Sequence, residues 1–183
     1  MKRCVWVSKD PLYEKYHDKE WGRSVRNDRK IFEFLVLESA QAGLSWLTIL
    51  RKRENYRKAF AGFDPEKVAK FTAKDFKRLM HDPGIVRNNL KIKAAIGNAK
   101  EFLKIQKEFG TFSKYMWSFV GNKVIKHKIK KAGDYLTTNE EAITFAKDLK
   151  KRGFKFLGPT IVYAYMQAVG MVNDHSVGCF LAK

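Results

Sequence analysis

The sequence has no apolar run approaching the roughly 20 residues needed to span a bilayer. Its opening, MKRCVWVSKD, holds two basic side chains with no apolar segment behind them, so no secretory leader is expected. Cysteine is scarce. Cys4 and Cys179, near opposite ends of 183 residues, are the only two, which excludes a disulfide-rich scaffold. No repeat, low-complexity tract or Pro/Gly/Ser-rich linker divides the chain. These absences predict one cytoplasmic domain over residues 1–183, long enough to bury a real core, with no membrane partner. Acidic residues are also few, with 19 Asp and Glu against 37 Lys and Arg, for a net charge of +18. Such an excess is what a polyanion-binding surface produces, although a solubility device would look the same.

What is present is mostly helical in pattern. Asp28 to Arg53 opens on a capping Asp and closes on basic residues that suit a helix C-terminus, with Gly43 expected to break it in two. Asp64-Pro65-Glu66 starts another helix with proline at its first position. Thr72 to Asp75 reads as a capping box for a helix through Met80. Asp82-Pro83-Gly84 is a turn. A long helix follows from about Asn88 to Phe109, with Ile92, Ala95, Ile96, Ala99, Phe102 and Leu103 on one stripe. Shorter helices are predicted for Phe112 to Val120 and from Thr138 to about Lys151. Thr160 to Val169 is apolar nearly all round and reads as a central, buried helix. Nothing requires a sheet, so the expected class is all-α.

Two constellations could carry chemistry. Cys4 with His17, and His175 with Cys179, make two thiolates and two imidazoles, the donor set of a closed tetrahedral zinc site. The spacing of four places His175 and Cys179 on one helix face. Such a clip would join the chain ends. Two unrelated cysteines and two ordinary histidines remain an alternative, which His81 and His127 fit. The second constellation is a set of rings, Trp6, Tyr13, Tyr16, Trp21 and Trp46, with Glu38 set among Leu35, Val36, Leu37 and Leu44. A Glu in such surroundings is seldom buried without a partner or a job. The rings could be stacking faces with Glu38 and Tyr16 as a polar edge. Equally, the rings could be core and Glu38 could face solvent.

The segment KRGFKFLGPTIVYAYMQAVGMVNDH, ending at His175, resembles the helix-hairpin-helix of base-excision glycosylases. The hairpin would be Phe156-Leu157-Gly158-Pro159, Thr160 would start the helix, and backbone N–H groups would face a DNA phosphate. Bifunctional members have a nucleophilic Lys where Pro159 stands, and proline cannot form a Schiff base. The usual catalytic Asp falls on Asn173, with Asp174 beside it. Together with RCVWVSKDPLYEKYHDKEWG, ESAQAGLSWLTILRKRENYRKAF and WSFV, the segment makes the chain similar to the bacterial 3-methyladenine DNA glycosylase I (TAG) family over nearly its whole length. The match is poor at Gly121 to Glu140.

This resemblance implies a compact helical glycosylase fold with a helix-hairpin-helix motif, and one structural zinc ion on Cys4, His17, His175 and Cys179. It implies base recognition by Glu38 and Tyr16, stacking on Trp46, and a pocket wall of Trp6, Tyr13 and Trp21. DNA contacts are expected from Phe156, Leu157, Gly158 and Thr160, and from Gln41, Gly43 and Leu44 as a wedge in the duplex. The implied activity is monofunctional hydrolysis of the N-glycosidic bond of 3-methyladenine in double-stranded DNA, by a monomer. Three other readings make distinct predictions. A glycosylase/lyase needs a Lys at position 159. A DNA-binding module has no need of Glu38 among rings. A zinc-stabilised partner-binding protein has no need of the +18 charge.

Overall fold

The computed structural model describes residues 2–182. Its architecture is all-α. The first helix, α1 (Pro11–Lys19), has a start signal that the sequence reading passed over: Asp10 accepts from the Leu12 N–H at 2.9 Å, and proline fills the first position. Helix α2 (Asp28–Gln41) is the true centre of the molecule, buried continuously from Ile31 to Ala40. Its cap is Asn27, not Asp28. Asp28 instead accepts from the Phe112 and Ser113 N–H groups at 2.8 and 2.9 Å, capping a distant helix, α7 (Phe112–Ser118).

The expected break falls at Gly43, whose φ of 79° is open to glycine at little cost. Ser45 then caps α3 (Trp46–Ala59). That helix runs past Arg53, because Arg53 is not a terminal charge: it is buried against Glu20 and Glu33. Helices α4 (Pro65–Ala69) and α5 (Ala73–His81) follow, with Asp75 accepting from the Thr72 N–H at 2.9 Å. Then comes the long α6 (Asn89–Phe109). The last pair is α8 (Glu140–Lys151), capped by Asn139 rather than Thr138, and α9 (Pro159–Ala168).

Helix α2 packs on α3, α6, α7 and α9. Helix α9 buries Val162, Tyr163, Tyr165 and Met166 but leaves Ala164 and Gln167 half-buried, so it is a wall and not the centre. One small sheet departs from the all-helical expectation. β1 (Ile125–Lys126) pairs in parallel with β2 (Val172–Asn173), and an isolated bridge joins Ile129 to Ser176. This ladder stitches the 121–140 segment to the chain end. The loop between α1 and α2 is stitched to the end of α9 in the same way: Gly22 N–H donates to Gln167 O and Val25 N–H to Val169 O, both at 3.0 Å. Gly170, at φ 70°, lies so close to the Arg23 backbone that a Cβ there would overlap its carbonyl. Among the described residues, no helix is long and apolar enough to cross a membrane.

Candidate active site and metal cluster

Helices α1, α2, α3 and α9 surround a cavity of about 520 Å³, a size usual for small-molecule sites. Helix α1 brings Tyr13 and Tyr16, three apart, to one side. Helix α2 delivers Glu38 from its last turns, and α3 opens with Trp46. The ring centroids of Tyr16 and Trp46 are 5.4 Å apart, and Trp6 lies 5.2 Å from Tyr13 and 4.8 Å from Trp21. The structure therefore brings Glu38, Tyr16, Trp46, Trp6, Tyr13 and Trp21 together around one space.

That space is chemically unfinished. Glu38 is 3% exposed, and its Oε2 has no hydrogen-bond partner. The same holds for Trp6 Nε1 and Trp46 Nε1, both on residues that line the cavity. Buried polar groups are nearly always partnered in native proteins, so three orphans around one cavity point to a polar ligand. Burial alone pushes the Glu38 carboxyl up to about 8, with no facing cation to lower it. Burial, and then Glu38, also hold the Tyr16 phenol well above its usual range, so it stays a donor. An unpaired carboxyl with aromatic faces suits a flat, positively charged guest.

The cavity also has walls that sequence reasoning missed. Ala132, Tyr135 and Leu136 come from the 121–140 segment, where the sequence resemblance is poor, and Gln167 and Ala164 from α9. A lone amide within the apolar run from Thr160 to Val169 was the one available signal. Gln41, expected at the DNA surface, lines the cavity as well.

Behind the ring wall, Cys4, His17, His175 and Cys179 form a buried group whose donor atoms all lie within 4.8 Å of one another. Cys4 Sγ is 3.5 Å from His175 Nδ1, and Cys179 Sγ is 3.5 Å from His17 Nε2 and 3.6 Å from His175 Nδ1. A tetrahedral ion with sulfur at ~2.3 Å and nitrogen at ~2.0–2.1 Å has S···N edges of about 3.5 Å, so the cluster fits a metal. His175 and Cys179 do not share a helix face. A turn with Gly178 at φ 89° brings them round. Burial opposes the Cys4 thiolate, but hydrogen bonds from His17 and His175 bring its pKa down to about 5, toward the form that binds metal. His17 Nδ1 pairs with Asp18 at 2.8 Å, and Arg3 grips Asp18 in turn, an orienting shell typical of metal-bound imidazoles. Trp21 packs edge-on to His175 at 4.7 Å, so the cluster also braces the cavity wall.

The histidines outside the cluster differ from one another. His81 Nδ1 donates only locally, to Lys77 O. His127, read as ordinary, instead lies 2.7 Å from the fully buried Asp174. At the α8–α9 connection, the buried Asn98 side chain holds the Lys155 backbone on both its N–H and C=O, each at 2.9 Å. Phe156 is 36% exposed at φ 59°, and Thr160 is exposed. Leu157 is only 6% exposed, so its side chain is core and only its backbone can meet a ligand. Gly158 has open space where a Cβ would stand, and no side chain caps α9. Across the molecule's other lip, Leu44 is 40% exposed beside Gly43.

Comparison with known proteins gives concordant results. The family model described as methyladenine glycosylase matches residues 6–182. The DNA-3-methyladenine glycosylase 1 of Escherichia coli (strain K12) is 49% identical over 179 residues, covering 98% of this chain and 96% of that protein. A crystal structure of 3-methyladenine DNA glycosylase I (TAG) superposes with a TM-score of 0.97 at 46% identity, over 100% of both chains. A structure of the Staphylococcus aureus enzyme of that name gives 0.96 at 43% identity, covering 100% of this chain and 97% of the other.

Proposed function

The chain belongs to the methyladenine glycosylase family, and from that premise we propose that it excises 3-methyladenine from alkylated double-stranded DNA. The observation that carries this reading is Glu38, a buried carboxyl with no cation of its own at the edge of an aromatic cavity. Methylation at N3 makes the adenine cationic. Such a base supplies the missing charge, ionises Glu38, and is held by its carboxylate and by the Trp46 ring face, worth about 1–2 kcal/mol.

The uncapped start of α9 at Gly158, the backbone of Phe156 and Leu157, and Thr160 grip a phosphate, with the basic surface adding strength that salt weakens. The damaged nucleotide flips out at a cost of a few kcal/mol, and Leu44, raised on Gly43, fills the gap. Glu38 accepts hydrogen bonds from the adenine edge, and Tyr16 closes over it. A water oxygen bonds to the sugar C1′ and loses a proton. The glycosidic electron pair leaves with the base, which departs neutral. The cation is already a good leaving group, so no carboxylate is required at Asn173. Pro159 offers no amine for a lyase step, so the strand stays intact.

The cluster of Cys4, His17, His175 and Cys179 holds zinc in this reading. Four protein donors fill its coordination, so the ion supplies folding energy and no activated water. The whole chain acts as one monomeric domain carrying both sites.

The test is base release from methylated genomic DNA, with freed bases resolved by chromatography and strands checked for nicks. Free 3-methyladenine with intact strands is the expected result. A borohydride-trapped adduct would establish a lyase instead, and DNA binding without base release would leave a binding module. Metal analysis should find one zinc per chain, lost in Cys4→Ser. Absence of stoichiometric zinc in folded protein would remove the metal assignment and leave the catalytic one standing.

A further inference from the structure

Gln167 stands on the face of α9 that lines the aromatic cavity. A side-chain amide offers donors at one end and an acceptor at the other, and its partners decide which end points where. Here the choice is fixed. Gln167 Nε2 donates to Asp174 Oδ2 at 2.6 Å. The same Oδ2 accepts from the Tyr163 hydroxyl, so it is an acceptor here, the amide nitrogen stays on that side, and Oε1 is left as the free end.

Asp174 is itself held firmly. It is fully buried, the Tyr163 hydroxyl donates to Oδ2 at 2.6 Å, and His127 Nδ1 lies 2.7 Å from Oδ1. The parallel pair β1–β2 sets this arrangement, since His127 follows one strand and Asp174 the other. A buried carboxylate needs such partners. Gln167 is the only one of the three that reaches the cavity.

We propose that Gln167 is a base-recognition residue whose Oε1 accepts from the exocyclic amino group of the flipped purine, with Asp174 as the positioning residue that keeps this acceptor facing the base. An amide turned the other way would present N–H donors and favour a 6-oxo purine. The fixed orientation therefore selects 3-methyladenine over 3-methylguanine. The inference rests on the glycosylase reading and adds a second acceptor to Glu38.

The experiment is equilibrium binding of free 3-methyladenine and 3-methylguanine to wild type, Gln167→Met, Asp174→Asn and the double variant. Melting temperature and bound metal are measured on each. Methionine keeps the length of a half-buried side chain and removes its acceptor. Gln167→Met should weaken 3-methyladenine about 10-fold and leave 3-methylguanine nearly unchanged. Asp174→Asn should weaken 3-methyladenine in the wild-type background and add nothing in the Gln167→Met background, which a merely structural role would not predict. Wild-type affinity and preference in Gln167→Met, within about 2-fold, would overturn the proposal. An equal loss from Asp174→Asn in both backgrounds would overturn its positioning half. If Asp174→Asn does not fold, Gln167→Met decides alone. Wild type binding neither base would fail the glycosylase reading, and this inference with it.

Discussion

Glu33 and Glu38 stand on one helix and are buried to the same depth, 2% and 3% exposed, yet their surroundings are opposite. Around Glu33 the fold collects cations. Arg53 Nε lies at 2.8 Å, Arg57 Nη2 at 2.7 Å and Lys30 Nζ at 3.1 Å, and Glu20 takes the two remaining Arg53 donors. Burial pushes the Glu33 carboxyl up, but the Arg53 charge and its hydrogen bond more than offset this, leaving it below the usual range. Among the described residues no cation faces Glu38, and burial alone carries it to about 8. The residue type and the depth are the same, so only the partners separate a structural carboxylate from a functional one. A buried charge completed by its own chain holds the fold. One left incomplete marks where a charged guest belongs.

The comparison can be broken most sharply at Glu33. Glu33→Gln takes one of two carboxylates from the buried Arg53, which Glu20 still holds, and leaves the partly exposed Arg57 on a neutral amide, so it should cost about 1.5–3 kcal/mol of stability by denaturant unfolding. A loss below about 1 kcal/mol would show the network to be an ordinary surface ion pair. The same change at Glu38 should do the reverse. Glu38→Gln should lower kcat/KM on methylated DNA by about 10- to 100-fold, the worth of a charged hydrogen bond. It should also stabilise the protein. Below about pH 4.5 Glu38 is neutral in both folded and unfolded chains, and the variant matches wild type. Between about 4.5 and 8 only the unfolded chain ionises, so wild type loses stability as pH rises and the variant does not. The gain should reach a few kcal/mol at pH 8. Melting temperatures at the two pH values check it, and no gain at pH 8 would mean that Glu38 has a partner after all. Binding the cationic methylated nucleotide in DNA should expel the Glu38 proton, so wild-type affinity for methylated DNA should rise with pH toward about 8 and that slope should vanish in Glu38→Gln.

The two glutamates also show what a sequence can and cannot declare. The apolar neighbours of Glu38 were legible, and so were the four Cys and His donors and most helix starts, because caps and proline positions are local. The partners were not. Arg53 reads as a helix-end charge until the fold turns it onto Glu20 and Glu33. Asp28 reads as its own helix's cap until it is seen capping α7. Tyr135 and Gln167 join the cavity through the β1–β2 pairing and the packing of α9, long-range events without a local signature. Where the local reading of the metal donors went astray, it was over geometry: the spacing from His175 to Cys179 suits a helix, but Gly178 makes it a turn.

The smallest expected effect lies just beyond Glu38. Helix α2 ends with carbonyls that no helical N–H can reach, and Lys91 from α6 donates to two of them, Ala40 O at 2.9 Å and Ala42 O. Its charge also suits a helix C-terminus. Burial lowers the Lys91 pKa, but the residue is only half-buried, so the contact tightens a wet edge without the full cost of a core charge. The residues it holds lead directly to Gly43 and Leu44, on the DNA side, while Glu38 faces the cavity. Lys91→Met should therefore cost only about 1 kcal/mol of stability. It should lower kcat/KM on duplex DNA about 5-fold while leaving free 3-methyladenine affinity within about 2-fold. Parallel measurement of the two substrates decides the matter. Equal losses on both would mean that the end of α2 moves as one piece, and that holding the loop cannot be separated from holding the base.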